Sequence, residues 1–218
     1  MLRFGPETGP VVVVALPLFE EANRTRAFAV TILCALAERG IAGALPDLPG
    51  QGESLMPTHE TDLIRLRAAF AAAVASLNTP ALTLAIRSGA LLDGEALVTA
   101  RTHLSPMTGA DLRRELIRAR QASARESGEP FDPASLDTAT APVELAGNRV
   151  SPTLLAQLSD ATPSPEQTRT VRLATEAKPA DVKLPGSPLW RRAEPDNDPA
   201  FAQAVADDIA QWIATCAA

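Results

Sequence analysis

The 218-residue chain has no tyrosine, and aromatic residues make up only 4% of it. Its core must therefore be aliphatic, and stacking nucleobases on aromatic faces is not expected to be its main activity. Basic charge is also short: 20 Lys and Arg stand against 26 Asp and Glu, a net charge of −6. A nucleic-acid binder needs a basic face to displace counterions, so no nucleic-acid partner is expected. The two cysteines, Cys34 and Cys216, make neither a disulfide framework nor a metal cluster. Cys34 reads as a core thiol on a helix and Cys216 as a tail thiol, both in a reducing compartment. Long hydrophobic runs are absent, and the β-branched run at residues 11–16 is far too short to span a bilayer. The first ten residues carry no basic region followed by an apolar stretch. No signal peptide is expected, and the protein is expected to be cytoplasmic. Histidines are limited to His59 and His103, and neither sits at metal-ligand spacing. Gly50-Gln51-Gly52 lacks the third glycine of a dinucleotide fingerprint, and there is no Walker loop. No cofactor or metal is therefore expected.

Hydrophobic residues are 46% and charged residues 21%, an ordinary globular balance with enough chain for one domain over residues 1–218. Val11-Val12-Val13-Val14-Ala15-Leu16 reads as a central strand buried on both faces. Residues 41–45, 81–86 and 96–102 read as three more strands of the same parallel sheet, and short runs near Thr170 and Val182 as the last two. Between them lie helical patterns at residues 25–39, 61–77, 109–124, 151–158 and 199–216, the first stopped by Gly40. Residues 127–142 read as a long surface loop. Strands alternating with helices predict an open parallel sheet covered on both faces. Such sheets bind ligands beyond the carboxyl ends of their strands.

One strand end carries a chemical signal. Ala85-Ile86-Arg87-Ser88-Gly89 has the small residues, two before and two after the apex, that a tight nucleophile elbow requires. Its apex is Arg87, which cannot act as a nucleophile. Ser88 is the neighbouring catalytic candidate, with helix capping as its structural alternative. His103, just after the fourth strand, is the candidate base, although both it and His59 also read as loop histidines with no catalytic part.

An ordered set of motifs resembles a known family. Leu16-Pro17-Leu18-Phe19-Glu20-Glu21-Ala22-Asn23-Arg24-Thr25-Arg26, then Pro46-Asp47-Leu48-Pro49-Gly50-Gln51-Gly52-Glu53-Ser54, then Ile86-Arg87-Ser88-Gly89-Ala90-Leu91-Leu92 occur in sequence. They are followed by Leu104-Ser105-Pro106-Met107-Thr108-Gly109, by Leu145-Ala146-Gly147-Asn148-Arg149-Val150-Ser151-Pro152 and by Leu189-Trp190-Arg191-Arg192-Ala193-Glu194-Pro195. Together they resemble bacterial exosortase A system-associated hydrolases of the second type, in which Arg likewise occupies the elbow apex. The resemblance implies a three-layer α/β-hydrolase-like fold and a place beside exopolysaccharide and protein-sorting systems. The chain departs from the general hydrolase pattern in three ways. Only residues 2–4 precede the first core strand, so the antiparallel edge is expected to be truncated or absent. There is no room for a large lid. The usual histidine would fall near Pro188 or Leu189.

With Arg87 at the nucleophile place and no late histidine, the expected role is non-hydrolytic binding or accessory work in an envelope system. The partner would be a small molecule or an exopolysaccharide-pathway protein. The alternative is an active serine esterase or thioesterase using Ser88 or Ser54. A guanidinium at the start of a helix calls for an anion. Glu20 or Glu21 is the expected partner of Arg87, with Glu194 second, and these residues and Phe19 are the ligand-binding or site-structural candidates.

Overall fold

The computed structural model describes residues 1–216. Nine strands and five α-helices follow one another as β1 (Leu2–Phe4), β2 (Val11–Ala15), α1 (Glu20–Glu38), β3 (Ala42–Leu45), α2 (Leu63–Ala75), β4 (Ala81–Ile86), β5 (Ala100–Leu104), α3 (Gly109–Ser127), β6 (Val143–Leu145), β7 (Asn148–Val150), α4 (Pro152–Asp160), β8 (Thr168–Leu173), β9 (Val182–Leu184) and α5 (Pro199–Cys216). Seven strands form one sheet in the order β1-β3-β2-β4-β5-β8-β9. All neighbours in it are parallel except β1 and β3, which are antiparallel. The four strands with the strongest sequence signal are thus adjacent at its centre. The antiparallel edge, expected to be truncated or absent, survives as the three residues of β1.

Every residue of β2, β3, β4 and β5 is buried. Alternate side chains feed two cores, one on each face. Val12, Val14, Leu84 and Ile86 pack beneath α1 and α5, where Phe28 and Phe201 stack with ring centroids 4.9 Å apart. Val11, Val13, Ala15 and Ala85 pack beneath α2, α3 and α4. The helix ends follow their local sequence. Asp62, Thr108 and Ser151 accept the N–H of Arg65, Asp111 and Leu154, and α3 ends on the left-handed Gly128.

Three sequence readings need correction, and one element was not read at all. Helix α1 begins at Glu20, five residues earlier than its apolar pattern, because the chain turns directly after β2 at Phe19 (φ 61°). Strand β5 is displaced from 96–102 to Ala100–Leu104 because residues 93–96 fold into a turn around the Arg101 guanidinium, which donates to the carbonyls of Asp93 and Ala96. Residues 143–150, to which the sequence assigns no element, form a hairpin, β6–β7, turned by Ala146 (φ 50°) and Gly147 (φ 75°), directly after the loop at 127–142. Cys34 is exposed, not in the core: Ile32, Leu33 and Leu36 face the sheet, and helical rotation carries residue 34 to the other side. The Cys216 side chain lies outside the described residues. Among the described residues, no helix is long and apolar enough to cross a membrane.

Gly89 sets the distance between the β4 turn and β2. A Cβ built there would lie 2.2 Å from the Ala15 carbonyl oxygen, which is backbone and cannot yield. Gly89→Ala is expected to destabilise the fold by about 3 kcal/mol, near the upper end for overpacking. Denaturant unfolding checks this, and an unchanged midpoint would contradict it.

Candidate functional site

At the carboxyl end of β4 the chain enters a short 3-10 turn, Arg87–Leu91. Arg87 opens it at φ 55°, a left-handed conformation that costs a non-glycine residue free energy and recurs at functional turns. Its guanidinium is mostly enclosed, with 12% of the side chain exposed. Nε and Nη2 donate to the two carboxylate oxygens of Glu21 at 3.2 and 3.3 Å. Nη2 also donates to Glu115 on α3 at 3.3 Å. The guanidinium carbon stands 5.2 Å from the Trp190 ring centroid, within cation–π range. One cation therefore joins α1, α3, the β4 turn and the loop after β9.

The early start of α1 produces this arrangement. Ser88 is wholly buried, and its Oγ accepts the Leu18 N–H at 2.9 Å. It makes no cap for the turn that Arg87 begins; the cap position belongs to Ile86. The serine instead pins the loop after β2, Phe19 turns the chain, and Glu21 falls in the first turn of α1 facing Arg87. Burial pushes the Glu21 carboxyl above the ordinary glutamate range. Arg87 opposes that rise without cancelling it, and Glu115 adds to it.

The remaining candidates lie elsewhere. His103 is an interior residue of β5 and not a loop histidine. Its Nε2 is 3.1 Å from the buried Asp93 carboxylate, which also accepts the Thr83 hydroxyl at 2.6 Å. This is a satisfied polar knot inside the fold. Ser54 Oγ accepts the N–H groups of Gly50 and Met56. His59 lies in a separate 3-10 turn, Thr58–Glu60. Glu20 is exposed at the start of α1, and Glu194 is exposed on the loop before α5, outside the Arg87 cluster. Of the carboxylates expected beside Arg87, only Glu21 is there. Glu115 went unread, although it borders the Leu112–Leu116 stripe of α3. Trp190 was visible only as part of a motif, because an isolated tryptophan in a proline-rich loop has no periodicity to betray its burial.

After β8, Glu176 accepts the Ser105 hydroxyl, Arg172 Nη1 at 2.8 Å and the Leu173 N–H. Burial would raise this carboxyl, but those three donors outweigh it and hold it below the ordinary range. Between these groups lies a cleft in two compartments. One, of about 390 Å³, is bounded by Arg87, Met107, Glu115, Arg172, Glu176 and Trp190. The other, of about 520 Å³, lies against Leu18, Phe19, Leu112, Leu116, Ala119 and Ala146. Arg87, Glu115, Trp190 and Arg191 border both, so the Arg87–Glu115 pair forms a bar across the cleft. Among the described residues, no group of three or more His, Cys, Asp or Glu side chains is placed to hold a metal ion.

No family model matches the chain, and no curated protein sequence matches it. Solved structures do. The chain is similar to Est1E of Butyrivibrio proteoclasticus, solved with ferulic acid bound, at 16% identity over 96% of this chain and 91% of that one, TM-score 0.62. It is similar to BpoC of Mycobacterium tuberculosis H37Rv at 15% identity over 98% and 94%, TM-score 0.58. A monoacylglycerol lipase of Paleococcus ferrophilus matches at 12% identity over 99% and 98%, TM-score 0.51. Likeness at such low identity concerns the backbone, and with the sheet order and layers above it makes the fold α/β-hydrolase-like.

The raised Glu21 carboxyl has a stability consequence. Its folded-state affinity for protons exceeds its unfolded-state affinity, so its favourable contribution is full below the ordinary glutamate value. That contribution is lost as pH rises through the raised value. Carbon-detected NMR titration is expected to show Glu21 titrating above an ordinary glutamate, and higher still in Arg87→Leu, where burial remains but attraction is gone. Titration of Glu21 below the ordinary value in the parent would refute this account.

Proposed function

We propose that this chain is a non-hydrolytic member of the α/β-hydrolase-like fold, whose strand-end cleft binds a small molecule in place of turning one over. The observation that carries this reading is Arg87 at the elbow apex, its guanidinium tied to Glu21 and Glu115. Hydrolases of this fold place nucleophile, acid and histidine in that chain order. The corresponding positions here hold Arg87 after β4, Glu176 after β8 and Trp190 after β9. Loss of a nucleophile or base alone removes most of a hydrolase's rate. The cytoplasmic setting is supported by the unpaired Cys34. The link to bacterial exopolysaccharide and exosortase systems is supported by the ordered motifs around Phe19, Arg87 and Trp190.

The competing reading, an esterase or thioesterase using Ser88 or Ser54, needs a hydroxyl that can reach both substrate and base. Ser88 is buried and already engaged by Leu18, while His103 is held by Asp93 inside the sheet. A serine-reactive fluorophosphonate probe tests the choice. No labelling above a heat-denatured control is expected. Labelling abolished by Ser88→Ala or Ser54→Ala would establish the hydrolase instead.

A further inference from the structure

The smaller compartment of the cleft is cationic, although the whole chain carries a charge of −6. Six basic side chains line it, Arg87, Arg114, Arg118, Arg172, Lys178 and Arg191, against the three acids Asp111, Glu115 and Glu176. Asp111 is paired with Arg114 at 2.7 Å and Glu176 with Arg172 at 2.8 Å, while Arg87 is shared between Glu115 at 3.3 Å and Glu21 at 3.2 Å. Lys178 reaches Asp111 only at 4.0 Å. Among the described residues, Arg118 and Arg191 enter no ion pair. With Glu21 included, six cations face four carboxylates, so two net positive charges converge on one hollow. A distant acidic surface does not offset them, because fields from exposed charges fade beyond about 8–10 Å at physiological salt.

The neighbouring compartment differs in kind. Leu18, Phe19, Leu112, Leu116, Ala119 and Ala146 supply an apolar wall, Glu20, Glu21 and Arg24 also line the compartment, and Trp190 and Arg191 stand at the boundary of both. Each compartment falls in the size range of small-molecule sites. An occupant that satisfies both must carry a concentrated negative charge at one end and an apolar body at the other. A phosphate monoester holds roughly 1.5–2 negative charges at neutral pH and three acceptor oxygens, which suits a net of two positive charges better than a monoanionic carboxylate does.

We propose that the cleft binds an amphipathic phosphate monoester, its head among Arg118, Lys178 and Arg191 and its apolar part in the Phe19–Leu116 compartment. This rests on the binding reading of the same site and names its ligand class. Tryptophan fluorescence in a Trp212→Phe background makes Trp190 the reporter, with octyl phosphate as the probe. Octyl phosphate is expected to bind more tightly than octanoate, octanol or inorganic phosphate. The exposed double variant Arg118→Glu/Arg191→Glu is expected to weaken octyl phosphate by about tenfold or more, with its melting temperature unchanged. Ala119→Trp should crowd the apolar compartment and weaken octyl phosphate while leaving inorganic phosphate unaffected. Octanol binding as tightly as octyl phosphate, or affinity indifferent to the charge reversal, would overturn the anionic head. Inorganic phosphate binding as tightly as octyl phosphate would overturn the apolar half. Octanoate binding more tightly than octyl phosphate would overturn the choice of phosphate. These affinities are separate from the fluorophosphonate result: labelling would remove the non-hydrolytic reading and leave them standing, and their failure would leave the elbow argument intact.

Discussion

A guanidinium placed at the end of the central strand, where water is largely excluded, has to be neutralised where it stands. Arg87 meets that constraint with Glu21 and Glu115, and the neighbouring elements are arranged around the result. Removing one member of an enclosed ion pair is expensive because the other charge is left without solvent or partner. The elbow brings its own demands. Its left-handed apex requires the close approach of Gly89 to β2, and the buried Ser88 hydroxyl fastens the loop after β2 to the same turn. That loop then delivers Glu21. On the reading proposed above, the geometry that would present a nucleophile in an esterase is used here to hold a charge.

The central sheet was legible because its signals are local. Val11 to Val14 can be little other than a strand buried on both faces, and small residues at positions 85 and 89 announce a tight turn. The Arg87 partner was legible to one of two adjacent glutamates for a related reason: charge at an enclosed strand end requires an answer. What escaped notice depends on tertiary context. His103 looks polar enough to lie beyond the strand read at 96–102, yet it is inside β5 because the buried Asp93, itself held by Thr83, satisfies it. Cys34 shares a helix with core residues, but its angular position exposes it. Glu115 was hidden because nothing in the sequence shows that α3 crosses the end of β4.

Interior polar groups and the cleft make contrasting use of charge. Around Asp93 every group finds an internal partner, and the knot fixes the path of β5. Around Glu176 three donors stabilise the carboxylate, so it neutralises Arg172 and leaves the more exposed cations facing outward. The division follows depth: charges near the sheet are consumed by structure, and Arg118 and Arg191, nearer the mouth, enter no ion pair among the described residues.

The three-residue strands at the two margins of the sheet, β1 and β9, bear on how the molecule behaves at high concentration. An unpaired strand offers its N–H and C=O groups to any other chain, and a long apolar one templates intermolecular pairing. Strand β3, with all four residues buried, would be such a template if it were outermost. The short antiparallel β1 lies over it and presents only three residues in its place. Its small size is thus a safeguard: it closes off an adhesive margin while remaining too brief to nucleate aggregation itself.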